Sequence, residues 1–156
     1  MRRKVRNRNI VGSDLVYNSD KVEKFINYVM EEGKKNTARK VVYDSFDLVK
    51  EVAKVENPLE VFDMAIKNTA PTMEVRSRRV GGANYQVPRE VRKERQTFLA
   101  MNWIIDAAKS RKGKPMREKL SEEIILASKN KSKTVKKREN VHKMAETNKA
   151  FAHFTW

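Results

Sequence analysis

Hydrophobic residues recur every three or four positions along most of the first 70 residues, which is the spacing of an amphipathic helix. The first stripe comprises Val22, Phe25, Ile26, Val29 and Met30. A second helix is predicted to begin near Thr37 and to have a hydrophobic stripe that extends to Ala53, and a third to begin at Pro58 with Asn57 as its N-cap. Three amphipathic helices joined by short connections predict a helical bundle.

A β-hairpin is predicted over residues 72–89, where the helical spacing stops. Gly81 and Gly82 lie at its centre, and a Gly-Gly pair tolerates the positive φ angles of a tight two-residue turn. This turn places Val80 opposite Ala83. Neither face of the hairpin is hydrophobic enough to be buried, so we expect it to protrude from the bundle. An isolated two-stranded hairpin is marginally stable in water, and we therefore expect something outside the domain to brace it.

Helical spacing returns at Glu90 and predicts three further helices. The fourth helix has a hydrophobic stripe of Phe98, Met101, Ile105 and Ala108, flanked by Trp103 and Ile104. The fifth is predicted to begin at Pro115. The last, roughly Thr134 to Ala150, has only a weak stripe, and such a polar helix is usually solvated or bound to a partner. The predicted fold class is mainly α: a bundle of about six helices with one protruding β-hairpin arm, forming a single domain over residues 1–156.

Composition adds a large positive charge to this architecture. The chain has 35 Lys and Arg against 20 Asp and Glu, a formal net charge of +15. Such a charge destabilises the compact state by self-repulsion unless a polyanion neutralises it. Nucleic acid is the commonest polyanion, and an anionic membrane surface is the main alternative. No hydrophobic stretch approaches the roughly 18–20 residues that span a bilayer, so we predict no membrane partner.

The sequence offers little to catalysis or metal binding. It has no cysteine, which excludes disulfides and thiolate metal sites and makes a cytoplasmic location the simplest account. His142 and His153 lie outside any metal-ligand or nucleophile spacing, and we expect both to make surface contacts. Adjacent residues do not share a helix face, so the pairs Glu31–Glu32 and Glu122–Glu123 are expected to lie on solvated helix surface. We predict no catalytic residues, no metal and no cofactor.

The first twelve residues are predicted to form a basic arm. Its cations are Arg2, Arg3, Lys4, Arg6 and Arg8, and the first ten residues contain no acid. Because almost nothing hydrophobic is available to pack there, we expect the arm to be ordered by contact with phosphates. The alternative is a tail that only solubilises the chain.

The other cations that we predict to bind RNA fall in three runs. The run at the hairpin and just after it comprises Arg76, Arg78, Arg79, Arg92 and Arg95, with Tyr85 available to stack on a base. The second run comprises Lys109, Arg111, Lys112, Lys114, Arg117 and Lys119. The third lies in a basic C-terminal helix and tail over residues 129–156 and comprises Lys136, Lys137, Arg138 and His142. A single basic run is usually just a solvated face, but these runs flank an acid-leaning stretch from Glu51 to Glu74. They predict one polyanion-facing side.

Structured RNA is the polyanion that these residues favour. Arginine dominates the hairpin, and its planar guanidinium suits bidentate phosphate contacts and stacking. Proteins recognise structured RNA through shape, phosphate and 2′-OH contacts and through stacking on unpaired bases. The helices carry no helix-turn-helix, zinc-finger or basic-zipper pattern for reading duplex DNA.

Two segments resemble a known family. Residues Met73–Pro88 read MEVRSRRVGGANYQVP and closely resemble the central motif of small-subunit ribosomal protein seven. Residues Lys137–Phe154 resemble the bacterial-type C-terminus of that family, and the order of elements agrees over the full length. The chain departs from the family pattern at Asn84, where Thr is usual, at Arg89, where an apolar residue is usual, and at Thr155, where Arg is common.

The resemblance implies a structural constituent of the small ribosomal subunit. The family's members bind the 3′ major domain of small-subunit rRNA as primary binders and nucleate assembly of the head. Their hairpin lies at the subunit interface near the exit-site tRNA, and mRNA and small-subunit ribosomal proteins nine and eleven are expected partners. A cytoplasmic ribosome is favoured over an organellar one. Some members also repress translation of their own message.

Two other classes of function are compatible with the charge alone. One is a free regulatory mRNA-binding or DNA-compacting protein, which would sediment apart from small subunits. The other is an enzyme acting on RNA, which would turn over an RNA substrate without metal, although no acid–base pair is evident.

Overall fold

The structure, a computed structural model, describes residues 11–154. The cations of the basic arm and Thr155 therefore lie outside the described residues. Within that range the chain forms six α-helices, one antiparallel hairpin and a C-terminal 3₁₀ helix, which confirms the predicted fold class. The elements are α1 Asp20–Val29, α2 Lys35–Ala53, α3 Pro58–Thr69, β1 Met73–Val80, β2 Ala83–Glu90, α4 Lys93–Ser110, α5 Met116–Ser128, α6 Lys133–Thr147 and the 3₁₀ helix Lys149–Phe154.

Helices α1 to α5 enclose the hydrophobic core. Three phenylalanines at its centre, Phe25, Phe46 and Phe62, are almost completely buried. The ring centroid of Phe62 lies 5.0 Å from that of Phe25 and 5.3 Å from that of Phe46. Burying one such side chain stabilises a fold by about 1.5–3 kcal/mol. Helix α5 packs against α2, α3 and α4, so the bundle is organised around it.

Local signals predicted most helix starts to within two residues. Asn57 is the N-cap of α3, and its side chain accepts a hydrogen bond from the Leu59 amide at 3.1 Å. The predicted return of helix at Glu90 is wrong, because that residue ends β2 and α4 begins at Lys93. The fifth helix begins one residue later than predicted, with Pro115 as its N-cap.

The buried stripe of α4 differs from the prediction. Trp103 and Ile104, predicted only to flank it, are buried, whereas Phe98 is 39% exposed. Phe98 lies at the edge of the bundle, where its ring packs edge-on against Tyr28 with centroids 5.4 Å apart. Helix α6 covers Trp103, which explains why a position off the predicted stripe is buried.

The hairpin has the predicted register, with Val80 paired to Ala83 across the Gly81-Gly82 turn. Both glycines have positive φ, 57° and 90°, the conformation for which glycine is favoured. The expectation that neither face is buried is wrong at the base, because Val87 is only 3% exposed. Helix α6 and the 3₁₀ helix pack against the strands. The brace that we expected outside the domain is thus provided by the chain's own C-terminus.

Helix α6 is packed rather than simply solvated. It contacts β1, α3 and α4, and Val135 and Ala145 are buried despite the weak hydrophobic stripe. Polar contacts also attach α6 to the bundle. Arg138 Nη1 donates a hydrogen bond to the Asn68 carbonyl of α3 at 2.6 Å, and Lys137 Nζ lies 5.1 Å from the ring centroid of Trp103 on α4. Among the helices of residues 11–154, each is too short or too polar to cross a bilayer.

Candidate nucleic-acid interface

Helix α6 runs antiparallel to α4. It connects the cations of residues 109–115, around the end of α4, to the cations of the hairpin. Ser132, just before α6, and Arg111, just after α4, both contact the Glu123 carboxylate. Further along, Lys137 lies over Trp103, and the C-terminal half of α6 lines a groove of about 400 Å³ with Leu99. The 18 residues of α4 span about 27 Å at 1.5 Å per residue. Residues 109–115, at the end of α4 and in the loop that follows it, therefore form one continuous surface with α6 and the hairpin, which we call the basic track.

At the hairpin end of the track, one carboxylate positions two arginines. Glu74 accepts hydrogen bonds from Arg76 Nε and Arg95 Nε, both at 2.9 Å. Burial acts to raise the pKa of Glu74, but the hydrogen bond and charge of Arg95, together with Arg76, outweigh it and hold the pKa below its usual range. The carboxylate therefore stays ionised. Each guanidinium has five N–H donors and is held here through Nε, on side chains about half exposed.

Two further hairpin residues contact the C-terminus instead of facing only solvent. Arg78 Nη1 donates to the Phe154 carbonyl at 2.7 Å. The Tyr85 ring, predicted to stack on a base, packs against Phe151 and Phe154, with both centroid distances 5.2 Å. Arg79, on the alternate face of the strand, is exposed.

At the loop end, Arg111 is held by two consecutive glutamates. Its Nη1 lies 2.9 Å from Glu122 and its Nη2 lies 2.6 Å from Glu123. The prediction that this glutamate pair is solvated is wrong for Glu123, whose side chain has 0% exposure. The carboxylate is buried because Arg111 and the hydroxyls of Ser132 and Thr134 converge on it.

Lys109, at the end of α4, and Lys114, in the loop before α5, make exposed ion pairs. Lys109 pairs with Glu31, and Lys114 pairs with Glu122. The hydrogen bond and charge of Lys109 lower the pKa of Glu31, as Lys114 does for Glu122. Such exposed pairs contribute little to stability, so both lysines can exchange a carboxylate for a phosphate at small energetic cost. Glu31 and Glu32 are exposed, as predicted.

The predicted cations on α5 are arranged differently. Arg117 Nη1 lies 3.6 Å from Asp44 on α2, in a pocket that Asp47 also lines. The structure therefore turns Arg117 towards the acidic side of α2 and not along the basic track. Lys119 is half-buried, while Lys112 in the loop is exposed.

Along α6, Arg138 is half-buried and donates to the Asn68 carbonyl, whereas Lys136 and Lys137 are exposed. Of these two lysines, Lys137 lies over the Trp103 ring. Arg92, which precedes α4, is exposed as well. Arg79, Arg92, Lys112 and Lys136 form no ion pair with the acids of residues 11–154, so these four predicted cations are available to an external anion.

The position where the basic arm joins the bundle is also fixed. Asp14 is 2% exposed and accepts hydrogen bonds from the Tyr17 amide at 3.0 Å and the Tyr43 hydroxyl at 2.6 Å. Burial and the hydrogen bond to Asp14 raise the pKa of Tyr43 to about 12. The chain therefore enters the described fold beside α2, with this contact as its anchor.

His142 connects α6 to the base of the hairpin and makes the contact pH-sensitive. Its Nε2 accepts a hydrogen bond from the Thr72 amide at 3.0 Å. Burial, followed by repulsion from Arg138, lowers the pKa of His142 below 6.5, against a weaker opposing effect of Glu146. Nε2 can accept this hydrogen bond only when it carries no proton, and the lowered pKa favours that neutral form of the imidazole.

We expect the stability of the protein to fall as the pH drops through 6.5 towards the lowered pKa of His142. In that window the unfolded state binds more protons than the folded state, so the free energy of unfolding rises with pH. Urea unfolding between pH 5 and 7.5 measures this dependence. The variant His142→Ala should show a smaller dependence than His153→Ala. Identical pH dependences in the two variants would contradict the assignment.

Sequence reasoning missed the residues that position these cations. Glu74, Trp103, Glu123, Phe151 and Phe154 are acids and aromatics of ordinary type, and no local signal distinguishes them. Their partners are distant in the chain, as for the contact between Arg78 and Phe154.

Within residues 11–154 no group of three His, Asp or Glu side chains could hold a metal ion.

Comparison with known proteins places this fold in a family. The family model for ribosomal protein S7p/S5e matches residues 1–149. The small ribosomal subunit protein uS7 of Thermotoga petrophila is 55% identical over 146 residues, covering 94% of each chain. That of Thermotoga neapolitana is 52% identical over 156 residues and 100% of each chain, and that of Moorella thermoacetica is 51% identical over 149 residues, 96% of this chain and 95% of the relative. The resemblance found in the hairpin and C-terminal motifs is thereby confirmed, and the chain belongs to the ribosomal protein S7p/S5e family.

Proposed function

We propose that the protein is a structural component of the small ribosomal subunit that binds rRNA along the basic track. The observation that carries this proposal is the course of α6, which joins the cations of the loop to those of the hairpin. The names of the relatives support the ribosomal assignment. The net charge of +15 needs a polyanion of this kind to offset its self-repulsion.

In this mechanism, binding orders RNA by neutralising phosphates at fixed positions. Exposed cations release the counterions condensed on the phosphates they contact, which favours association. The arginines at Glu74 are already oriented before binding, so less side-chain entropy is lost when they meet RNA. Lysines such as Lys109 and Lys114 leave their glutamates for phosphates. The bundle core keeps both ends of the track in one geometry and so holds the contacted RNA segments in a fixed relation.

The finer assignments rest on the family resemblance. The RNA is the 3′ major domain of small-subunit rRNA, where the protein binds directly and nucleates assembly of the head. The hairpin lies near the exit-site tRNA at the subunit interface, and the protein's other partners are mRNA and small-subunit ribosomal proteins nine and eleven. The protein acts in the cytoplasmic ribosome, and the arm with Arg2, Arg3, Lys4, Arg6 and Arg8 adds phosphate contacts to those of the track.

The proposal predicts tight, salt-dependent binding to a fragment of the 3′ major domain. For about ten phosphate contacts, log affinity should fall with log salt concentration with a slope of about −7 to −9. Titrations at several salt concentrations measure the slope, and a structured RNA of equal length and unrelated sequence is the control. A slope close to zero, or equal affinity for both RNAs, would contradict specific rRNA binding. Sedimentation of tagged protein apart from small subunits would instead favour a free regulatory RNA-binding protein.

A further inference from the structure

We propose that Tyr85, Phe151 and Phe154 form an aromatic clamp that positions the hairpin for RNA binding. In this assignment Tyr85 is a positioning residue whose ring acts through the C-terminus, not a residue that stacks on RNA. The inference rests on the proposed function, since it concerns how the hairpin end of the basic track is held. It extends that function by making the C-terminal 3₁₀ helix part of the RNA-binding apparatus.

The C-terminal segment contacts both strands of the hairpin at one residue pair. Arg78 and Tyr85 are paired across the strands, and paired residues share a face of the hairpin. The Tyr85 ring packs against Phe151 and Phe154, while Arg78 Nη1 donates to the Phe154 carbonyl at 2.7 Å. The two phenylalanine rings are nearly parallel, at an interplanar angle of 12° and a centroid distance of 6.4 Å. A single segment therefore holds one residue from each strand.

The location of the clamp matters because the outer part of the hairpin has little other support. Val87 and Pro88, at the base, are buried, but residues 81–84 at the turn are exposed. The clamp lies between these regions, at the third residue pair from the turn. A two-stranded hairpin without further packing is marginally stable in water. Loss of the clamp should therefore loosen the outer hairpin and leave its base attached to α6.

A loose hairpin would bind RNA less well even with every arginine present. Binding would then have to order the outer hairpin, in which β1 carries Arg78 and Arg79, and this ordering costs conformational entropy. The alternative, in which Tyr85 stacks directly on a base, predicts a different result. Stacking involves no counterion release, so its loss would lower the affinity at all salt concentrations and leave the salt slope unchanged.

The test compares Tyr85→Ala, Tyr85→Phe and the double variant Phe151→Ala/Phe154→Ala in the full-length protein. The control is Phe98→Ala, since Phe98 is an exposed aromatic residue packed on Tyr28 and away from the clamp. Hydrogen exchange without RNA reports on hairpin opening directly. We expect exchange of the amides between residues 76 and 87 to accelerate roughly tenfold in Tyr85→Ala and in the double variant. Amides of α2 and α5 should be unaffected, and Tyr85→Phe should behave as wild type because it keeps the ring.

RNA binding by the same variants completes the test. Affinity for the 3′ major domain fragment should fall in Tyr85→Ala and in the double variant, with a salt slope shallower by about one for each phosphate that the hairpin no longer reaches. Unchanged hairpin exchange in the double variant would overturn the clamp. A loss of affinity in Tyr85→Ala with neither faster exchange nor a shallower slope would assign Tyr85 to direct stacking and overturn it too. If wild type does not bind the RNA, the proposed function fails, and hydrogen exchange still decides whether the clamp exists.

Discussion

Replacement of Arg111 by Met is expected to lower the free energy of unfolding by about 3 kcal/mol. The substitution removes the cation that pairs with Glu123, whose carboxylate is inaccessible to solvent. Breaking a buried ion pair from one side leaves an uncompensated buried charge, which costs about 3–5 kcal/mol. The lower end applies because Arg111 is partly exposed and Ser132 still donates to the carboxylate. Urea unfolding followed by circular dichroism measures the change.

Arg117→Met is the matched control, since it removes the same side chain from a nearby, exposed ion pair with Asp44. Such a pair contributes only about 0–1 kcal/mol. The double variant Arg111→Met/Glu123→Gln should regain most of the lost stability, because the uncharged amide still accepts a hydrogen bond from Ser132. If Arg111→Met lowers the free energy of unfolding no more than Arg117→Met does, the buried Glu123 carboxylate does not link the end of α4 to the start of α6.

Replacing three exposed cations of the basic track, Arg79, Arg92 and Lys136, by Gln is expected to weaken rRNA binding about a hundredfold at 0.1 M salt. Each phosphate that is no longer neutralised makes the salt slope shallower by about 0.7–0.9, so three together reduce it by about 2 to 3. These cations have no acidic partner within residues 11–154, so their removal leaves the internal ion pairs intact. Titration of the RNA fragment at several salt concentrations measures both the affinity and the salt slope. Urea unfolding checks that the stability of the fold is unchanged.

The matched control replaces Lys21, Lys50 and Lys67 by Gln. It removes the same total charge from helices α1, α2 and α3, which are not part of the basic track; Lys21 pairs there with Asp63. We expect its affinity and slope to stay near those of the wild type. Equal losses in the two variants would show that total charge, and not the basic track, determines binding.

Much of the fold could be predicted from the sequence because its signals are local. Hydrophobic spacing predicted the first five α-helices, Asn57-Pro58 predicted the start of α3, and Gly81-Gly82 predicted the turn. Where the prediction was wrong, tertiary packing had changed the environment. Phe98 is exposed at the edge of the bundle, whereas Trp103 is buried under α6, and hydrophobic spacing along α4 alone does not encode either contact.

The candidate site was less predictable, since charge along a sequence does not reveal what each cation contacts. Arg76, Arg79 and Arg92 have the same side chain and all three are exposed, yet only Arg76 is held by a carboxylate of residues 11–154, that of Glu74. The packing of Tyr85 against Phe151 and Phe154 was not evident in the sequence, because those two residues are more than 60 positions away. Glu123 looked solvated because the spacing of a glutamate pair gives no information about Arg111 or Ser132.

The sequence by itself determined the elements, the turn, the net charge of +15 and the family to which the chain belongs, since each depends on residue types and on near neighbours. Only the tertiary structure decided that α6 lies antiparallel to α4, that it joins the two groups of cations, and that the C-terminus braces the hairpin. These features depend on contacts between residues far apart in the chain, such as that between Arg78 and Phe154. Such contacts form because the core of the bundle brings distant segments together, and local sequence rules do not specify them.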